Sequence, residues 1–399
     1  MKILYCCAEF PYPADSGIKV RIFNLARELA RRHEVHLYCL DSFPVSEASV
    51  QAVKDTGINV ILQTKPRLTR FAKSLVYLQR LIQGIPLPYI LAWENTIFDS
   101  LASLEKEVTF DVAVAEHLFM ARFILRLKCR KVLADQNIES ELAGQIAKNV
   151  PHPLRWWKKI EAMWIGHYER KMVRSVQTVV AVSPQDCQQL QLMAAGVPVI
   201  LVTNGVDCAL YSDIYKTGRP AGLHLLFIGL MSYYPNEDAV LWFAREVLPM
   251  ILPGYSDMEF MIVGAEPTAS VRGLDNGSSI RVTGAVEDVK PFYRRSTLMV
   301  VPLSIGGGSR LKILEALAAG TPVVSTAKGA EGLAVEDGRH LLIAETPAKF
   351  AEAIISLHKD NALYEHLKKN GRKLVEEKYD WPVQAEILEK TLLRLTTVS

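Results

Sequence analysis

Most of the signatures that assign a chemistry at sight are missing from this sequence. Its six cysteines, Cys6, Cys7, Cys39, Cys129, Cys187 and Cys208, include no C-x-x-C pair. That argues against the common zinc and dithiol arrangements and reads as reduced, mostly buried thiols. No window of about 18 apolar residues occurs, so no spanning helix is expected. The apolar run after Lys2 stops within six residues, at Glu9, short of a secretory h-region. Together these absences predict a cytoplasmic protein. A charge excess of one sign is lacking too. The 46 Lys and Arg against 43 Asp and Glu leave a net +3 with both signs mixed, which argues against a nucleic-acid partner. There is no G-x-x-x-x-G-K-[ST] loop, no G-x-S-x-G elbow and no H-E-x-x-H pair. The first strand-like run is followed by AEFPYPADSGIKVR rather than G-x-G-x-x-G, which argues against a dinucleotide oxidoreductase.

What the chain does have is alternation. At 399 residues, 49% hydrophobic and 22% charged, it is an ordinary globular sequence too long for one core, so two domains are expected. KILYCC, EVHLYCL, NVILQ, DVAVAE, KVLADQ and TVVAV read as strands, several with the unbroken apolar character of buried parallel strands. Amphipathic helical runs separate them, among them 20–32 and 154–174. The first series ends near VILVTNGVD. A second series, HLLFIG, MEFMIVG, IRVTG, TLMVVPL, PVVST and HLLIA, repeats the pattern. Strand-then-helix alternation twice over predicts an α/β fold of two doubly wound, Rossmann-like domains facing across a cleft. The polar stretch CALYSDIYKTGRPAG is the best linker. The expected division is 1–205, 206–378 and a C-terminal helix within 379–399.

Ligands of such sheets sit beyond the carboxyl ends of the strands, and the loops there are the places to look. In PLSIGGGSRLKILEALAAGTPVVST, residues 302–326, three glycines abut a helix predicted over 310–319. Gly306, Gly307 and Gly308 would let backbone N–H groups approach an anion at the positive end of that helix; a tight strand–helix turn is the alternative. Gly17 stands just before a helix predicted to start near Ile18. Glu116 and His117 close one strand, and Asp135, Asn137 and Glu139 follow another. FIGLMSYYPNEDA, with Gly229, and VTGAVEDV, with Val286, complete the set. Each is weak alone, and a lone histidine or loop glycine is commonly structural. Their shared placement suits a nucleoside diphosphate on the second domain and an acceptor on the first.

These segments also carry a resemblance. DSGIKVRIFNLARELARRHEVHLY, LADQNIESEL, VVAVSPQD, TNGVD, LLFIGLMSYYPNEDAVLWF, VTGAVEDVKPFY and VPLSIGGGSRLKILEALAAGTPVVSTAKGAEGL make the chain similar to family-4 glycosyltransferases of the GT-B fold over nearly its whole length. The resemblance implies retaining transfer of a sugar from a nucleotide donor to a hydroxyl, in polysaccharide or glycoconjugate synthesis. By that likeness Glu315 receives the ribose hydroxyls, Gly17 lies beside the diphosphate, and His117 stands near the reacting sugar. Gly307, Gly308 and Ser309 then offer amides to the donor, Gly229 belongs to the donor site, and Val286 meets the base through its backbone. Asp135, Asn137 and Glu139 fall on the acceptor side.

Two departures matter. Eight residues before Glu315, where such enzymes often carry a second glutamate, stands Gly307. The basic pair expected after the FIG strand is absent from LMSYYPNED. Arg310 and Lys312 are left to offset the leaving group's charge. No cofactor or metal is expected, since no Asp-x-Asp pair offers to hold one. KPRLTRFAKSLVYLQRL and PLRWWKKIEAMWIGHYERK mix cations with apolar residues; each suits either peripheral contact with an anionic membrane presenting a lipid-linked acceptor or packing on its own domain. A sugar-nucleotide 2-epimerase of the same fold and a non-catalytic nucleotide-sugar-binding subunit are the competing readings.

Overall fold

The structure is a computed structural model describing residues 1–41, 45–66, 70–91, 93–149, 154–305 and 310–397. The chain forms two compact units, Met1–Thr203 with Gln384–Ser399, and Asn204–Val383. In the first, seven strands form one sheet: β1 (Lys2–Cys7), β2 (Glu34–Asp41), β3 (Asn59–Thr64), β4 (Val112–Glu116), β5 (Arg130–Asp135), β6 (Thr178–Ala181) and β7 (Val199–Leu201). Their order is β3-β2-β1-β4-β5-β6-β7, and every pairing is parallel. The apolar runs follow from this: β4 and β6 are buried along their whole length, with helices on both faces.

The second unit repeats the plan with β8 (His224–Ile228), β9 (Glu259–Val263), β10 (Ile280–Val282), β11 (Leu298–Val301), β12 (Val323–Ser325) and β13 (Leu342–Ile343). The order is β10-β9-β8-β11-β12-β13, again all parallel. In both sheets the chain reverses direction of growth at one point, between β1 and β4 and between β8 and β11. Crossovers leave in opposite directions there and open a crevice at the carboxyl ends. The sequence segments after β1, β4, β8 and β11 are the loops singled out above.

The expected linker is structured. Cys208–Tyr211 is a 3₁₀ turn and Ser212–Tyr215 a helical turn, with Cys208, Tyr211 and Ile214 buried in the second core. Asp207 caps the turn through Ala209 N–H at 3.2 Å. Arg372 donates to the Cys208 carbonyl at 3.0 Å, and Asp380 accepts from Cys208 N–H at 3.1 Å. Polar composition concealed the apolar spacing. The last helix, Trp381–Thr397, begins in the second unit and belongs to the first from Gln384 onward. There Glu389 accepts from Arg32 at 2.7 Å and lies 2.8 Å from His33 Nε2.

Candidate functional site

The floor of the second crevice is bare backbone. β8, β9 and β10 run into Gly229, Gly264 and Gly284. Gly229 N–H donates to Val263 O at 3.0 Å and Gly264 N–H to Gly284 O at 3.1 Å. Gly264 has φ +147°, and a Cβ on it would overlap the Gly229 carbonyl. A Cβ on Gly229 would lie 2.7 Å from Asn236 Nδ2 and 3.1 Å from Lys312 Nζ. Glycine is required here by close approach.

Opposite stands helix Leu311–Ala319, entered from β11 through a loop whose residues 306–309 lie outside the described set. Lys312 reaches across to the end of β8: its ammonium donates to Asn236 Oδ1 at 2.8 Å and lies 4.1 Å from the centroid of the Phe227 ring. Asn236 is held in turn by its own donation to Leu230 O at 2.9 Å. Burial, with Arg310 nearby, pulls the Lys312 pKa down to about 7. One turn on, Glu315 accepts from the Tyr293 hydroxyl at 3.0 Å, and Tyr211 bonds it as well. Burial pushes the Glu315 pKa up to about 7, against the lowering pull of Tyr293 and Lys312. Arg310, directly before the helix, is buried, donates to Lys328 O at 2.8 Å and lies 3.6 Å from Glu331. One helix end thus gathers two cations and one carboxylate beside a glycine floor. An anion entering there would meet charge that is already desolvated, where it acts most strongly.

In the first unit, Gly17 is the first residue of helix Gly17–Ala30, which starts one position earlier than expected because Ser16 supplies the N-cap. At the end of β4, Glu116 is fully buried between the Tyr5 hydroxyl and Gln136 Nε2, the latter at 2.7 Å. His117 adopts φ +76°, a conformation costing a non-glycine residue on the order of 1–3 kcal/mol. Its N–H donates to Ala134 O at 2.9 Å, and its carbonyl accepts from Met120 N–H at 3.0 Å. Burial lowers its pKa, favouring neutral imidazole, which can both donate and accept. Asp135, 1% exposed, has no hydrogen-bond partner for either oxygen among the described residues. Burial, then the neighbouring carboxyls of Glu169, Glu139, Asp186 and Glu116, raise its pKa well above the ordinary value. Glu169 accepts from the backbone of Glu139 at 2.7 Å and of Ser140 at 3.3 Å, capping helix Glu139–Asn149.

The family model for Glycosyltransferase Family 4 matches residues 16–210, and that for Glycosyl transferases group 1 matches residues 222–360. The chain belongs to this glycosyltransferase family. Among curated relatives, the phosphatidyl-myo-inositol mannosyltransferase of Mycobacterium leprae is 32% identical over 203 residues, 49% of this chain and 53% of the relative. The lipopolysaccharide core biosynthesis mannosyltransferase LpcC of Rhizobium leguminosarum is 29% identical over 228 residues, 51% of this chain and 62% of the relative. The chain thus spans about half the length of the curated relatives it matches. Anabaena HepE, solved in complex with UDP and glucose, shares the GT-B fold at TM-score 0.66 and 16% identity, over 98% of this chain and 99% of that one.

Within the second unit of this family member, Gly229, Arg310, Lys312 and Glu315 converge on one crevice. Val286 packs against the core of the same unit, and Gly307, Gly308 and Ser309 lie outside the described residues. Asn236, Tyr293 and Tyr211 were missed. The signal for Asn236 was its place in YYPNED, in the first turn of helix Tyr234–Trp242; Tyr293 gave none, and Tyr211 only the spacing of a buried face. In the first unit, His117, Asn137 and Glu139 stay partly accessible, whereas Asp135 is enclosed. Native Asp135 keeps a proton that the unfolded chain releases near pH 3.9, so its contribution to stability falls as pH rises above that value. Asp135→Asn should therefore gain on the wild type by up to about 1.4 kcal/mol per pH unit until the native group ionises. Urea unfolding at mildly acidic and mildly alkaline pH measures this. An unchanged difference between the two pH values would mean Asp135 is ionised in the fold.

Proposed function

We propose that the chain transfers a sugar, with retention of configuration, from a nucleotide-diphosphate donor to a hydroxyl of a glycan or lipid-linked acceptor. The observation that carries this is the pairing of Lys312 and Glu315 one turn apart at the point where the second sheet reverses. Glu315 has two oxygens for two vicinal ribose hydroxyls. Lys312 and Arg310 are placed for the diphosphate, with Lys312 Nζ occupying the space beside β8 where the expected basic pair is absent from LMSYYPNED. As the glycosidic bond breaks, negative charge grows on the departing β-phosphate, and fixed buried cations stabilise it more than the ground state. The acceptor then lies against the first unit, with His117, Asn137 and Glu139 at its rim, and no metal enters the step. The two mannosyltransferase relatives favour mannose as the sugar. HepE with its UDP and glucose supports a nucleoside diphosphate as the carrier.

Calorimetric titration with UDP, GDP and ADP in the presence of a chelator tests the reading. One nucleotide should bind, and Glu315→Ala and Arg310→Ala should each weaken it by about tenfold or more, the scale of a lost charge-assisted hydrogen bond. No binding of any nucleotide would remove the donor site from this crevice. Nucleotide release only when an acceptor is supplied separates transfer from 2-epimerisation. The pH profile adds a second check. Binding needs ionised Glu315 and protonated Lys312, and both titrate at about 7. Affinity for a nucleotide-sugar should therefore peak near neutrality and fall on both sides. Glu315→Gln should lose the acid limb and Lys312→Arg the alkaline limb. A flat profile from pH 6 to 8 would contradict the assignment.

A further inference from the structure

Helix Leu154–Val173 has two unlike halves. In its second half Ile165, Tyr168, Met172 and Val173 are buried in the first unit's core. Carried back by whole turns, that inward stripe passes through Glu161, Lys158 and Arg155, which are partly buried, with Lys158 paired to Glu161 at 2.5 Å. Apolar residues of the first half are instead left exposed. Trp156 is 68% exposed, Trp157 56% and Met163 74%. The neighbouring helix Glu139–Asn149 likewise turns Leu142 and Ile146 outward. Trp164 ties this corner to the loop after helix Arg70–Ile82 by donating to Gly84 O at 2.9 Å, close in sequence to Ile82, itself 79% exposed. A stretch of helix that half-buries three charged side chains while leaving two tryptophans and a methionine exposed is not completing its own core.

We propose that this face of the first unit docks on an anionic lipid bilayer. Tryptophan and methionine with an exposed lysine among them suit the headgroup boundary, where rings and thioether enter the acyl edge and the ammonium stays with lipid phosphates. Lys159, exposed, stands three residues from Trp156 and four from Met163, on the same side of the helix. A second copy fits less well, because a two-fold contact centred there would bring Lys159 towards its own mate. The inference stands apart from the transfer chemistry, although a lipid-linked acceptor would be presented in the same plane.

Flotation with vesicles of phosphatidylcholine alone and of phosphatidylcholine mixed with phosphatidylglycerol tests it. The wild type should float with the mixed vesicles and far less with the neutral ones. Trp156→Glu/Trp157→Glu should lose binding by about tenfold or more, and Lys159→Glu should weaken it on mixed vesicles alone. Nucleotide binding by these variants should equal that of the wild type, so failure of the donor site and failure of the membrane face are read separately. Absence of wild-type flotation, or flotation unchanged in the double variant, overturns the proposal. A wild-type dimer that the double substitution dissociates would assign the face to a second copy instead.

Discussion

Lys312→Met is expected to abolish most turnover while leaving the fold as stable as before, or more so. The ammonium is held where its charged form is disfavoured, with a pKa of about 7 against the ordinary 10.5. Among the described residues, what holds it there is one hydrogen bond to Asn236 and the face of Phe227. A cation over an aromatic ring contributes about 0.5–2 kcal/mol, a hydrogen bond from a charged group about 1.5–3, and desolvation opposes both. Methionine keeps the stem's packing and removes the desolvated charge, so the balance for folding is near zero or favourable. The balance for catalysis is not. A preorganised donor facing a developing oxyanion is worth about 100- to 1,000-fold in kcat. Stability retained with kcat lost is the pattern of a residue kept for function at some cost to folding. Unfolding curves beside turnover of the wild type, Lys312→Met and Lys312→Arg measure it; the arginine, still charged but differently shaped, should recover part of the rate. Turnover by Lys312→Met within tenfold of the wild type would pass the role to Arg310.

How far the sequence reached is best judged at particular residues. Unbroken apolar runs such as VAVAE and LMVVP could only be buried parallel strands, and both sheets formed where those runs stood. Chain order and right-handed crossovers then put the loops after β1, β4, β8 and β11 at the two reversal points, so the placement of Gly17, His117, Gly229 and the Leu311 helix at strand ends was legible. Side-chain partners were not. Tyr211 meets the Tyr293 ring at 5.7 Å and bonds Glu315, yet it sits in a stretch that reads as a linker. Only the spacing of Cys208, Tyr211 and Ile214 hinted at a buried face. Asp135 looked available because a carboxylate after a strand commonly is. Among the carboxyls beside it is Glu169, on helix Leu154–Val173 and 34 residues further along the chain, and no local pattern carries that.

Gly264→Ala is expected to be the most damaging single methyl in the second unit. Two penalties coincide there. At φ +147° the backbone is one that an L-residue rarely adopts, worth on the order of 1–3 kcal/mol. The new Cβ would also overlap the Gly229 carbonyl oxygen, and forcing packed atoms apart costs about 1–3 kcal/mol more. Gly277 gives a positive φ without the clash: its φ is +68°, and a Cβ on it meets nothing within 4 Å, so Gly277→Ala should show a conformational penalty alone, the smaller one of the left-handed region. Urea unfolding should place Gly264→Ala below Gly277→Ala by about 1–3 kcal/mol. The overlap has a functional consequence as well. Admitting the methyl requires the Gly264 and Gly229 peptides to part, and Gly229 packs closely against Asn236 and Lys312. Folded Gly264→Ala should therefore bind nucleotide more weakly than its stability loss explains, while Gly277→Ala binds as the wild type does. Equal affinities in the two variants would show that the glycine floor shapes the fold without shaping the site.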